Sequence, residues 1–164
     1  MIDPDIFERA RQVLDTCRRE GLTLATAESC TGGLVAGALT AVPGSSDVVD
    51  RGFVTYSNAA KVAMLGVPEG VLEAHGAVSE ETARAMAAGA LRAAGTHLAV
   101  SITGIAGPGG GSETKPVGLV HFAAAKRGGM LVHREERFGP LDRQDIRRRS
   151  VLVALDLLET LARF

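Results

Sequence analysis

The chain has 164 residues, with 18 Lys and Arg against 19 Asp and Glu, and a formal net charge of −1. A chain of this length buries roughly 70% of the surface its unfolded form exposes, so one domain spanning 1–164 needs no disulfide or metal staple. Balanced charge excludes a global basic field, and 4% aromatic residues exclude a stacking platform, so no nucleic-acid partner is expected.

Asp3-Pro4 is a helix cap followed by a first-turn proline, and Ile6, Phe7, Ala10, Val13, Leu14 and Cys17 recur at helical spacing. This predicts a helix over 4–19, stopped by Gly21. Leu22 to Ala27 alternates and mixes in β-branched residues, as a short strand does, and a second helix is expected from about Thr31 to Leu39. Pro43-Gly44-Ser45-Ser46 reads as a turn, Gly52 to Tyr56 as a second strand, and Ser57-Asn58 as caps for a short helix over Ala59 to Leu65. Gly66-Val67-Pro68 breaks it, a brief helix runs to Ala74, and Ser79 caps a longer one to about Ala94. His97 to Ile102 has the apolar look of a buried strand, and the glycine-rich segment from Gly104 to Gly111 follows it. Leu119 to Ala125 and Leu131 to Phe138 flank Lys126-Arg127-Gly128-Gly129 as a hairpin, after which Asp142 caps a final helix. Strands alternating with helices, plus one hairpin, predict a three-layer α/β/α sandwich with a mixed, mostly parallel sheet.

Cys17 and Cys30 lack CxxC spacing, and the start of the chain has no charged, apolar leader, so a reducing cytoplasm is the expected home. Apolar stretches such as Val151 to Leu155 fall far short of the ~20 residues of a membrane span, so no membrane partner is expected.

Ser29 stands where the first strand gives way to a helix, and α/β sheets present ligands at the carboxyl ends of their strands. Thr31, Gly32 and Gly33 follow it with N–H groups able to hold a phosphate or an oxyanion. A helix-capping serine and a nucleophile both satisfy this spacing. Lys61 falls in the first turn after Asn58, where a cation opposes the helix dipole by ~0.3–1 kcal/mol. Partial burial there lowers a lysine pKa and leaves neutral amine able to take a proton from Ser29; the alternative is a solvated surface lysine. Tyr56, the only tyrosine, ends the strand leading to Lys61 and either relays a proton, orients Lys61 or covers the sheet edge.

Other constellations are weaker. Cys30 is the lesser nucleophile candidate, because a small buried cysteine in a first turn is ordinary. His97, His121 and His133 lie on predicted strands and read as sheet residues, while His75, in a loop, stays open as a base. No HExxH or paired-cysteine spacing points to a metal. Lys115 stands too far beyond Gly111 for a P-loop, and GxGxxG is absent. What remains is backbone that can approach a ligand, with Ser101, Thr103, Ser112 and Lys115 as polar contacts. Arg143 and Arg147 lie in the first turns of the last helix and can reach a phosphate bidentately, although Arg147-Arg148-Arg149 also reads as a solvated charge run.

The motifs Thr26-Ala27-Glu28-Ser29-Cys30-Thr31-Gly32-Gly33, Gly52 to Asn58 with Lys61, His75-Gly76-Ala77-Val78-Ser79, and Thr103 to Pro108 with Lys115-Pro116-Val117-Gly118 occur in that order. Together they resemble the CinA C-terminal domain family over nearly the whole chain. The resemblance implies an α/β/α fold and nicotinamide-nucleotide amidase activity, which converts nicotinamide mononucleotide to nicotinate mononucleotide and ammonia without metal or cofactor. By matched position Ser29 resembles the nucleophile and Lys61 the general base, with Tyr56 at the catalytic group. The expected substrate contacts are Cys30, Thr31, Gly32, Gly33, Asn58, Thr103, Gly104, Ala106, Gly107, Lys115, Arg143 and Arg147. Phe138 to Arg143 is one residue longer than the family's Phe-x-Gly-Asp-Arg passage, which leaves Arg143 and Arg147 as alternatives for the phosphate. The chain looks like the stand-alone form, without the larger N-terminal domain of full-length relatives. Its apolar helix faces permit a homo-oligomer, a dimer or larger, which is the expectation. A non-catalytic nucleotide-binding module and an amidase for another small phosphorylated amide are the rival readings.

Overall fold

The computed structural model describes residues 2–164. In chain order the elements are α1 (Pro4–Glu20), β1 (Leu24–Glu28), α2 (Leu34–Thr40), a 3-10 turn (Ser45–Asp47), β2 (Val49–Val54), α3 (Asn58–Leu65), α4 (Glu69–His75), α5 (Glu80–Ala94), β3 (Leu98–Gly104), β4 (Leu119–Lys126), β5 (Met130–Arg137) and α6 (Arg143–Arg163). Four of the six α-helices begin where a capping side chain accepts from their free N–H groups. Asp3 accepts from Asp5 and Ile6, Ser57 from Ala60, Ser79 from Thr82, and Asp142 from Asp145.

The sheet has the order β2-β1-β3-β4-β5. β1 pairs in parallel with β2 and β3, and β3-β4 and β4-β5 are antiparallel. The sheet is therefore mixed, with every strand but β4 running in one direction. β1 and β3 are buried along their lengths, and β2 is an exposed edge.

Helices cover both faces, which gives three layers. Leu24, Leu98, Val100 and Phe122 meet Val13 and Leu14 of α1, Leu39 of α2, and Leu155 and Leu158 of α6 in the main core. On the other face Ala27 and Ala99 pack with Met86 and Ala90 of α5 and with Leu65 of α3. Gly89 of α5 lets these two helices touch: a Cβ there would lie 1.9 Å from the Leu65 carbonyl oxygen.

Some boundaries differ from expectation. β1 runs Leu24–Glu28 and β2 runs Val49–Val54, so Tyr56 lies beyond its strand. α2 begins at Leu34, not near Thr31, because Gly32 and Gly33 have φ of +56° and +103° and form a turn. His97 precedes β3, where its Nδ1 accepts from the Thr23 N–H at 3.0 Å. No described helix is long and apolar enough to cross a membrane.

Candidate active site

β1 lies between β2 and β3, so the chain leaves it toward one side through α2 and returns later on the other through α5. In such a sheet the crevice beyond the carboxyl ends of the diverging strands is where ligands bind. Ser29 follows β1, Thr55 and Tyr56 follow β2, and Thr103 and Gly104 end β3. Ladder bonds continue past the strand ends and fix this mouth: Ser29 N donates to Ile102 O at 3.0 Å, and Thr55 N to Glu28 O at 2.9 Å.

Ser57 caps α3 and turns its first residues back over the mouth, which puts Lys61 underneath. Although Lys61 is charged in water, it is only 1% exposed. Its Nζ lies 3.2 Å from Ser29 Oγ and donates to Thr55 O at 2.8 Å. No carboxylate accepts from this amine among the described residues. Burial without a counter-ion disfavours the ammonium, so the Lys61 pKa is lowered from its usual 10.5. The solvated-lysine reading is thereby excluded.

Behind Ser29 stands a buried carboxylate with no assigned part in the sequence reading. Glu28 accepts from Thr31 Oγ1 at 2.6 Å and from the N–H groups of Val35 and Ala36 at 2.9 and 3.0 Å. It therefore occupies the amino end of α2 itself, and that end does not serve as an anion site. In the turn, Gly32 N is committed to Ser29 O at 3.0 Å, whereas the Thr31 N–H has no acceptor among the described residues and the Cys30 N–H meets its own thiol sulfur.

Ser29, Lys61 and Thr103 line a cavity of about 270 Å³ together with Cys30, Tyr56, Asn58, Ala77, Val78, Gly104, Ile105, Ala106, Gly107, Gly109, Gly110 and Arg143. Its two basic side chains are Lys61 and Arg143, and no carboxylate among the described residues lines it. Arg143 donates to Gly107 O at 2.7 Å and to Tyr56 Oη at 2.8 Å, spanning from α6 to the glycine loop and the end of β2. The Tyr56 hydroxyl thus meets Arg143, not Lys61, and it holds the guanidinium at the cavity. Cys30 is 6% exposed, and burial pushes its thiol up to about 12, which leaves it protonated and a poor nucleophile.

Five of the expected contacts fall outside the cavity. Thr31 is turned to Glu28, and Gly32 and Gly33 lie in the turn behind it. Lys115 donates to His75 O at 2.6 Å on another face. Arg147 donates to the carbonyls of Cys30 and Thr31 at 3.1 and 3.4 Å, bracing the turn from behind, so Arg143 is the arginine at the cavity. His75 sits beside Glu81, away from Ser29. Ala77, Val78, Ile105, Gly109 and Gly110 are wall residues not named individually from the sequence, although the His75 to Ser79 motif contains the first two and the glycine-rich segment the other three. A larger groove of about 740 Å³ runs along α1 and α6, but its charges are engaged in ion pairs, as Arg9 is with Asp156 and Arg163 with Glu159, and it carries neither Ser29 nor Lys61.

Fold and site together define an α/β/α protein with a serine–lysine pair at the switch point of its sheet. The chain belongs to the CinA C-terminal domain family, whose profile matches residues 7–162. It is 51% identical over 158 residues to the nicotinamide-nucleotide amidohydrolase PncC of Escherichia coli K12, covering 96% of this chain and 95% of that one. It is 58% identical over 138 residues to a CinA-like protein of Mycolicibacterium vanbaalenii, and that match spans 32% of the longer relative. The solved structure of the competence/damage inducible protein CihA from Agrobacterium tumefaciens superposes with a TM-score of 0.96 at 53% identity, covering 98% of each chain.

Proposed function

We propose that the protein is a nicotinamide-nucleotide amidase that hydrolyses nicotinamide mononucleotide to nicotinate mononucleotide and ammonia by a Ser29–Lys61 mechanism. The 3.2 Å contact between Ser29 Oγ and a buried lysine amine without a counter-ion carries this reading. Similarity to the E. coli amidohydrolase along nearly the full length of both chains supports the choice of substrate.

In the proposed reaction neutral Lys61 takes the Ser29 proton as Oγ attacks the carboxamide carbon. The N–H of Cys30, at the cavity wall, stabilises the resulting oxyanion, in place of Gly32, whose N–H is already committed. Lys61 returns the proton to the leaving nitrogen, the C–N bond breaks, and ammonia departs. Water, deprotonated by the same amine, then cleaves the acyl–Ser29 ester, releasing the acid and restoring both groups. Arg143, already held by Gly107 O and Tyr56 Oη, is the phosphate partner. Two free cysteines fit a reducing compartment such as the cytoplasm.

Incubating the purified protein with nicotinamide mononucleotide, and quantifying ammonia and nicotinate mononucleotide, tests the reading. Equimolar appearance of both products is expected from the wild type and none from Ser29→Ala. An inert wild type, or undiminished release by Ser29→Ala, would overturn it.

A further inference from the structure

Thr103, the penultimate residue of β3, lies beside Ser29, because Glu28 pairs with Ile102 and the next residue of each chain segment lines the cavity. Its Oγ1 donates to Ala77 O at 2.7 Å. The direction is fixed, since a carbonyl oxygen can only accept. The Ala77 carbonyl is itself held in place. Ser79 Oγ and Thr82 Oγ1 both donate to the neighbouring Gly76 O, at 3.1 and 2.7 Å, and pin the start of α5 under the cavity. Turning the Thr103 hydroxyl toward a ligand would leave Ala77 O unpaired in a residue environment where Thr103 is only 1% exposed. With its one proton spent, this hydroxyl has only lone pairs left to offer.

We infer that Thr103 is a specificity-determining acceptor: it takes a hydrogen bond from the carboxamide NH2 of the substrate and repels the carboxylate of the product. The inference rests on the amidase reading above and deepens it. An NH2 placed at Thr103 puts the leaving group there and turns the carbonyl oxygen toward the N–H of Cys30, on the same cavity wall as Ser29. After hydrolysis an oxygen replaces the nitrogen, and two acceptors face each other. The acid is then held less well than the amide, although Arg143 is a fixed cation at the cavity and by charge alone favours the acid.

The test separates binding from turnover by using the Ser29→Ala protein, which keeps the cavity but has no nucleophile. Calorimetry gives its affinities for nicotinamide mononucleotide and nicotinate mononucleotide, and the same pair is measured after adding Thr103→Val or Thr103→Ser. The expected result is a preference for the amide in Ser29→Ala that falls about tenfold with Thr103→Val, one neutral hydrogen bond's worth, and is retained with Thr103→Ser. A merely structural role for Thr103 would weaken both ligands alike. An amide-to-acid ratio unchanged by Thr103→Val, in a protein whose circular dichroism matches the parent, overturns the inference and leaves the amidase reading intact. Should Thr103→Val not fold, Thr103→Ala is judged on the same ratio. Failure of both mononucleotides to bind Ser29→Ala, with an inert wild type, overturns the substrate reading and this inference with it.

Discussion

Lys61 can act as a base because burial strips away the water that would otherwise stabilise its ammonium form. In the proposed mechanism the neutral amine is the active species, so kcat/KM is expected to climb as pH rises through the lowered Lys61 pKa and to level off above it. Lys61→Ala is expected to reduce kcat by a factor on the order of 10² or more and to leave substrate affinity largely intact, as steady-state kinetics and calorimetry will show. Tyr56 separates two roles. Because its hydroxyl accepts from Arg143, Tyr56→Phe is expected to raise KM severalfold with little change in kcat, whereas a proton relay would make kcat fall. Ser29 and Lys61 were legible as residue types at helix starts, yet 32 positions separate them and only the fold makes them a pair. The partner of Tyr56 was hidden for a related reason: Lys61 is near it in sequence, but the guanidinium its hydroxyl meets lies 87 residues away.

At the scale of elements, the position of Lys61 depends on how closely α3 lies against α5. Gly89 permits that approach, and a methyl group there would collide with the Leu65 backbone at the end of α3. Gly89→Ala is therefore expected to destabilise the fold by roughly 1–3 kcal/mol and to lower kcat by displacing the helix that carries Lys61. Chemical denaturation and kinetics on the same variant measure both effects. Caps made most helices readable, since Ser57, Ser79 and Asp142 all serve as the sequence led one to expect. The start of α2 was not readable. Glycine at Gly32 and Gly33 fits a helix start and a left-handed turn equally well, and the deciding group, Glu28, reaches Val35 and Ala36 from the preceding strand.

For the molecule as a whole, a buried basic group ties stability to pH. The folded-state pKa of Lys61 lies below the unfolded value of 10.5, so between the two the unfolded chain binds more protons and stability rises with pH. The contribution is fully present above 10.5 and is lost as pH falls through the lowered folded value. Lys61→Met abolishes that rise, so the stability of wild type relative to the variant is expected to increase with pH across this window in chemical denaturation. The three layers followed from alternating strand and helix patterns together with the hairpin. Strand order did not, because nothing local in β2 or β3 records on which side of β1 each one docks, and the site exists only where they part.

The most direct measurement is mass spectrometry of the protein acid-quenched during turnover of nicotinamide mononucleotide. A nicotinoyl-nucleotide ester on the peptide bearing Ser29, absent from Ser29→Ala and strongly reduced in Lys61→Ala, is the expected result. Steady turnover with an adduct on Cys30, or full activity in Ser29→Ala, would contradict it.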